Sequence, residues 1–334
     1  MATYKDIAGT KVQNITGDPS DPIQGQIWYN ETSNVLKGLV VNASGAWAAG
    51  PSINTGRGSG SGAGTKASGI IMAGYTPTLP SPESSSYTET WNGSSWTETT
   101  DSSTNRIGPA GAGADNEAAM VFGGTTGPGA GLSQVEVWNG SSWTEVNEVN
   151  TARDAMTNSG CGTITDAIYA GGRGPSTASE KWNGTSWTST PSLNNGKTSP
   201  TTFGDSEGAI NVLGATSTTV RNYCESWNGS AWTEVNEVNT GRSQGCGAGV
   251  QTLGIVNGGE GPGPSGGPLF NNTEAWNGTA WTNDLASPAN RTSMMSTNQG
   301  TQTSFLHAGS GAPPFNPTLE WTGPGPSVVT FTSS

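Results

Sequence analysis

Val135-Glu136-Val137-Trp138-Asn139-Gly140-Ser141-Ser142-Trp143-Thr144 is the stretch on which the reading of this chain turns. Two short runs flank an Asn-Gly pair, and each run places a Trp beside it. Asn-Gly between alternating runs is the strongest local hairpin signal, because both residues accept positive φ. A tight turn with positive φ at Asn139 and Gly140 is therefore expected, with Trp138 and Trp143 on the two strands it joins.

The string recurs. Trp-Asn-Gly-Ser/Thr-Ser/Ala-Trp-Thr occupies Trp91–Thr97, Trp138–Thr144, Trp182–Thr188, Trp227–Thr233 and Trp276–Thr282. A degenerate copy at Asn42–Ala48 keeps only the second Trp, Trp47, and another at Trp321-Thr322-Gly323 keeps only the first. The second Trp thus stands at Trp47, Trp96, Trp143, Trp187, Trp232 and Trp281, at intervals of 44 to 49 residues. Ten residues after each lies a basic side chain: Arg57, Arg106, Arg153, Lys197, Arg242 and Arg291. The chain holds only 13 Lys and Arg, so six at one offset mark a repeat. Each unit continues with an apolar run ending in Gly (Ile70–Gly74, Ala119–Gly124, Ala167–Gly172, Ala209–Gly214, Leu253–Gly259, Phe305–Gly309). A Glu then precedes the next Trp: Glu89, Glu136, Glu180, Glu225, Glu274 and Glu320. The first Trp of each string, at Trp91, Trp138, Trp182, Trp227, Trp276 and Trp321, closes the unit.

This grammar resembles the kelch repeat, with a double Gly after the second strand, a Glu-x-aromatic pattern in the third and a Trp in the fourth. The departures are Trp for Tyr, Asn for Asp, and a worn double Gly at Gly74, Gly214 and Gly309. The resemblance implies an all-β fold: one six-bladed kelch-like β-propeller of four-stranded antiparallel blades, preceded by a short N-terminal β-hairpin segment. The expected domains are residues 1–40 and 41–334. Strands a, b and c occur six times between Trp47 and Trp321, so one blade needs its outer strand from elsewhere. The Trp47 strand or the tail Val328–Thr332 would fill that place, either one bringing the chain ends together in one blade.

Composition supports a packed β protein over a disordered one. Apolar residues are only 31%, but 12 of the 13 Trp are in register and can each bury about 150–250 Å² between neighbouring sheets. Gly58–Gly64, Gly108–Gly113 and Gly245–Gly249 suit a crowded axis where only small residues fit. The six Glu and six basic residues at fixed phase are expected to be charge-assisted links between strands rather than catalytic groups. The Asn-Gly-Ser/Thr strings at Asn92, Asn139, Asn183, Asn228 and Asn277, and Asn42 in Asn-Ala-Ser, match glycosylation sequons; the turn role accounts for them.

A net charge of −12 excludes the basic footprint that nucleic acid requires. No apolar run reaches the 18 residues of a membrane span, and the N-terminus carries no secretory h-region. Three Cys make no disulfide framework, and Cys161 and Cys246 are expected to be small buried thiols. The one His, His307, rules out a two-His copper or His-rich zinc site and is expected in a channel or core. No nucleophile elbow, EF-hand or P-loop appears. No catalytic residue, cofactor or metal is therefore expected.

Residues 1–40 lie outside the repeat. Gly25-Gln26-Ile27-Trp28-Tyr29-Asn30, a polar turn at Glu31–Asn34 and Val35–Val41 read as a hairpin. This pattern resembles the N-terminal segment of tail-fibre and virion-appendage proteins of bacteriophages, particularly marine phages. The resemblance implies a non-enzymatic virion component assembled in the host cytoplasm, working as a homo-oligomer or assembly subunit. Ile27, Trp28 and Tyr29 would attach it to other virion proteins, and the propeller would meet a host-surface glycan or protein. Variable b–c loops on a rigid scaffold are where recognition concentrates. They offer Tyr75, Tyr87, Arg173, the Arg221-Asn222-Tyr223 run, Phe270 and Phe315. The alternative expectation is a bacterial lectin-like or glycan-cleaving propeller.

Overall fold

The computed structural model describes residues 12–20, 26–42, 45–77, 83–127, 129, 131–154, 158–216, 219–262 and 267–331. Regular structure among them is entirely β, in seven four-stranded sheets rather than the six expected. Six are propeller-like blades built by the repeat, and the seventh is built from the two ends of the chain. The chain divides into two compact units, residues 47–322 and residues 1–46 with 323–334. The division thus falls at residues 46 and 47 rather than 40 and 41, and the tail leaves the repeat.

In the repeat unit the first sheet runs Ser61–Gly64, Gly69–Thr76, Glu83–Trp91 and Trp96–Glu98, each strand beside the next. The next four sheets copy this order, with inner strands Ala110–Gly113, Gly160–Gly162, Thr201–Gly204 and Cys246–Val250. The sixth holds Met295–Ser296, Ser304–Ala308, Thr318–Thr322 and, as its outer strand, Ala46–Gly50. Trp47 therefore completes the last repeat sheet, and the tail does not. The inner strands lie beside one another in cyclic order, the sixth returning to the first.

Each hairpin string pairs its two Trp directly: Trp91 opposite Trp96, Trp138 opposite Trp143, Trp182 opposite Trp187, Trp227 opposite Trp232 and Trp276 opposite Trp281. The loop between them thus has four residues, not the two-residue turn expected. Only its Gly takes positive φ, at +86° to +90°. The Asn instead works through its side chain: Asn139 Oδ1 accepts from the Ser141 and Ser142 N–H groups at 3.0 and 2.9 Å. This Asx turn recurs at Asn92, Asn183, Asn228 and Asn277.

The paired indoles tilt against each other with centroids 5.2–5.5 Å apart. The first Trp of each pair is fully buried, and its Nε1–H donates to a carbonyl in the loop between strands a and b. The acceptors are Lys66, Asn116, Ile164, Ser206, Gln251 and, for Trp321, Gln302. The second Trp leans on the third strand of the preceding sheet. Trp96, Trp232 and Trp47 donate to Thr318, Ser179 and Thr273 hydroxyls. Trp supplies both apolar area and a blade-to-blade hydrogen bond, which lets a chain so poor in aliphatics hold a core.

The glycines at or just past the end of the apolar run in the second strand join neighbours. Gly74, Gly124, Gly172, Gly214 and Gly259 donate their N–H to the carbonyl of Arg106, Arg153, Lys197, Arg242 and Arg291 in turn. In the sixth sheet Ser310 does this, to Arg57. The worn first position is filled by Ala73 and Leu213, which take the same left-handed conformation, φ 59° and 63°.

The terminal unit orders its strands Gln13–Ile15, Ile27–Asn30, Val35–Asn42 and Gly325–Phe331. The expected hairpin forms, with Asn30 opposite Val35. The tail pairs antiparallel along it, from Gly325 opposite Asn42 to Phe331 opposite Leu36. Asp18 ties the unit together, accepting from Lys37 Nζ at 2.8 Å, Asn30 Nδ2 at 2.6 Å and Trp28 Nε1 at 3.1 Å. These hydrogen bonds, that of Lys37 foremost, hold the Asp18 carboxyl down at about 2. Asp21, Pro22 and Gly25 lie outside the described residues.

Candidate functional site

Each basic residue of the repeat follows the outer strand of one sheet and reaches the Glu on the third strand of the next. The pairs are Arg57–Glu89 at 2.5 Å, Arg106–Glu136 at 2.9 Å, Arg153–Glu180 at 2.5 Å, Lys197–Glu225 at 3.6 Å and Arg242–Glu274 at 2.5 Å. All ten side chains are buried. Burial pulls Arg57, Arg106, Lys197 and Arg242 below their ordinary pKa, while the facing Glu pushes each back up. The second Glu oxygen accepts a backbone N–H three residues before the basic residue, from Asn54, Ser103, Asn150, Asn194 or Asn239, at 2.6–2.7 Å. These carboxylates are fully used in holding loop to strand, and none opens to a reacting group.

The sixth position breaks the rule, against expectation. Glu320 directly precedes Trp321, whereas the other Glu residues stand two before their Trp. Strand side chains alternate faces, so this one-residue step turns Glu320 away. Glu320 meets Lys66 at 3.5 Å instead. Leu319, opposite His307 in the register, takes the Glu place. The loop has changed with it: Pro288 stands three before Arg291 and has no N–H to give. Arg291 is 9% exposed and its Nε lacks a partner. His307 is buried beside Trp47 and Phe305. Both of its ring nitrogens are without partners, and burial, with Arg291 nearby, lowers it to about 3.

The axis is also polar. Asn298 Nδ2 reaches the Gly111 and Gly160 carbonyls at 2.9 and 3.1 Å, and Asn158 Nδ2 reaches Met294 O at 2.9 Å. Gln299 Nε2 reaches Gly204 O at 3.2 Å, while its N–H reaches Gly64 O at 3.1 Å. Asn298 and Gln299, just past the inner strand of the sixth sheet, thereby stitch the inner strands of the first four, the first through the Gln299 backbone N–H.

On the face carrying the d–a and b–c connections a cup of about 800 Å³ opens. Its floor is set by one backbone device. At five of the six basic side chains the residue two further on is left-handed: Ser59, Ser199, Gln244 and Ser293 at φ 52–56°, and Gly108 at 62°; the sixth such position lies outside the described residues. Their N–H groups donate in sequence round the ring, Gly108 to Ser59, Ser59 to Ser293, Ser293 to Gln244 and Gln244 to Ser199. Three of them, Ser59, Gln244 and Ser293, line the cup. The wall adds Tyr75, Glu83, Thr125, Arg173 and Glu260. Ser293 Oγ donates to Gln244 Oε1, and Gln244 Nε2 donates to Glu260 Oε1. Burial pushes the Glu260 carboxyl up, which the Gln244 hydrogen bond only partly offsets. Arg173 sits 3.3 Å from Asp154.

Of the loop residues marked in the sequence, the structure brings Tyr75 and Arg173 to the cup. Tyr87 lines a separate cavity of about 420 Å³ with Asn54, Thr76 and Glu83. Arg221 lies 5.6 Å over the Tyr223 ring, apart from the cup, as are Phe270 and Phe315. Sequence reasoning missed Ser59, Gln244, Ser293 and Glu260. The first three had a signal, a constant offset of two from the basic residue.

Among the described residues no three His, Cys, Asp or Glu side chains gather as metal ligands. Cys161, Cys224 and Cys246 are buried free thiols, pushed up by burial. No helix is long and apolar enough to cross a membrane. No family model and no curated protein matches the chain.

Proposed function

We propose that this chain is a non-enzymatic virion appendage subunit that displays a six-bladed kelch-like propeller from a terminal attachment module. The observation that carries the reading is the partition of the chain. Both ends, residues 1–46 and 323–334, enter one compact sheet unit, while the repeat completes its own sixth sheet with the Trp47 strand. Attachment through a module made of both termini leaves the repeat a complete body for recognition. Ile27, Trp28 and Tyr29 lie on the second strand of that module, where the resemblance to phage appendage segments is strongest. The ring of Arg–Glu pairs supports a structural rather than catalytic use of the repeated charges. The cup lacks a His, and the one His of the chain is buried elsewhere.

The test is cryo-electron microscopy of particles from the source, with an antibody to the repeat unit as a locating label. Density for the propeller on particles, and its loss when Trp28→Ala disrupts the module, is the expected result. A protein found only as free monomers, with particles unlabelled, would sink the reading.

A further inference from the structure

We propose that the cup ringed by Ser59, Tyr75, Gln244 and Glu260 is a binding site for an oligosaccharide that carries no acidic groups. This deepens the display reading by naming what the displayed face takes up.

The size fits a ligand, since about 800 Å³ lies within the roughly 300–1,000 Å³ of small-molecule sites. Polar groups are set at many points into a lining that also has apolar surface. Ser59, Ser84, Thr125, Thr126, Thr292 and Ser293 bring hydroxyls, and Asn105 and Gln244 bring amides. Such groups both donate and accept, as sugar hydroxyls do. Tyr75, half-buried in the wall, supplies an aromatic face against which a sugar ring can pack.

The site is pre-built, because the loop residues that form it are tied to one another. Its Ser59, Gln244 and Ser293 sit on the hydrogen-bonded left-handed ring. The Ser293–Gln244–Glu260 chain fixes the carboxylate at the rim. A group held in place before binding loses little freedom on binding.

Charge selects the class. Glu83 and Glu260 face the cup, and Arg173 shares its charge with Asp154. Among the described residues no Lys or Arg stands within salt-bridge distance of Glu260. A sialylated, uronate or phosphorylated ligand would meet like charge here. A neutral or amine-bearing saccharide would meet acceptors, and an ammonium group would answer the unpaired carboxylate.

The experiment uses the full chain over immobilised oligomers of galactose, N-acetylglucosamine and glucosamine, with oligogalacturonate as the acidic counterpart. Retention on at least one of the first three and none on the last is expected. Thr126→Trp, an exposed change that fills the cup, and Tyr75→Ala should each weaken binding about tenfold or more. Tyr75→Phe should keep it within about threefold, which separates a lost ring from a disturbed fold. Glu260→Gln should weaken the glucosamine oligomer most. No retention on any saccharide, preference for oligogalacturonate, or binding untouched by Thr126→Trp would each overturn the proposal. Release of shorter saccharides would overturn the non-enzymatic reading instead. Particles that carry the protein while the cup binds nothing remove this inference alone; cup-dependent binding by a protein absent from particles removes the display reading alone.

Discussion

Trp187 holds a buried indole N–H with nothing to receive it. Its counterparts Trp232, Trp47 and Trp96 donate to Ser179, Thr273 and Thr318, each the residue before the Glu position of the preceding sheet. At that place Trp187 meets Val135, which packs in the same cluster and offers no acceptor. Val135→Thr is nearly isosteric and would satisfy the donor. A stabilisation of about 1 kcal/mol is expected, from an unpaired buried donor costing about 1–3 and a methyl lost at about 0.8. The reverse change, Ser179→Ala, should cost about the same by orphaning Trp232, and thermal unfolding of the two variants checks both. His307 sets a pH response. Its folded pKa is about 3, below the unfolded value, because burial and Arg291 disfavour the charged ring. Between the two values the unfolded chain binds one proton more, so stability falls as pH drops through the window from about 6.5 to about 3, at about 1.4 kcal/mol per unit. The matching position of the fifth sheet is Val256, opposite Glu274. His307→Val should remove that part of the slope, measured as denaturant midpoints at pH 7 and pH 5.

At the scale of the element, the loop-to-strand latch decides which blades share one design. Five latches have carboxylate, cation and backbone N–H; the sixth has Leu319, Arg291 and Pro288. Removing one partner of a buried pair strands the other, at about 3–5 kcal/mol. Arg242→Met should therefore cost that much by stranding Glu274. Arg291→Met strands no carboxylate and removes a desolvated charge, so it should be neutral within about 1 kcal/mol or stabilising. Equal losses in chemical denaturation would contradict the distinction. The same element shows what the sequence made legible. Fixed offsets exposed the hairpins, the basic residues and five of the Glu partners, because each serves a contact that every blade must make. Glu320 misled because proximity to Trp321 was read without the two-residue alternation that decides which face a strand residue takes. The Asn-Gly turn misled in detail: the two Trp pair directly, and four residues must then close the loop, with the Asn side chain standing in for a backbone turn. The cup was half legible, since Tyr75 and Arg173 are marked by residue type, while Ser59, Gln244 and Ser293 are ordinary residues made important by a left-handed backbone.

At the scale of the whole molecule, the strands next to the two ends of the repeat take different places. Val328–Thr332 has the pattern of any edge strand, so on sequence alone it competes with the Trp47 strand for the outer place of the last repeat sheet. The outer place of that repeat sheet went to Ala46–Gly50, whose Trp47 donates to Thr273 Oγ1 and Leu285 O and packs 5.1 Å from Trp321. An aromatic staple with two acceptors outcompetes a strand that brings no such group. The tail instead runs along Val35–Asn42 over seven residue pairs. The two strands should accordingly fail differently. A chain ending at Thr322 loses one strand of the terminal unit and none of the repeat, so its Trp fluorescence transition should stay within about 1 kcal/mol of that of the intact chain. A chain beginning at Pro51 loses the Trp47 strand, leaving the third strand of the sixth sheet unpaired along its outer edge and exposing Trp321. Burying one Trp and one strand of ladder is worth several kcal/mol, about 3–5 for the aromatic alone. That chain should unfold at clearly lower denaturant and associate through the bared edge, which light scattering would detect. If the shorter tail, and not the loss of Trp47, lowered the repeat transition, closure of the ring by the Trp47 strand would be refuted.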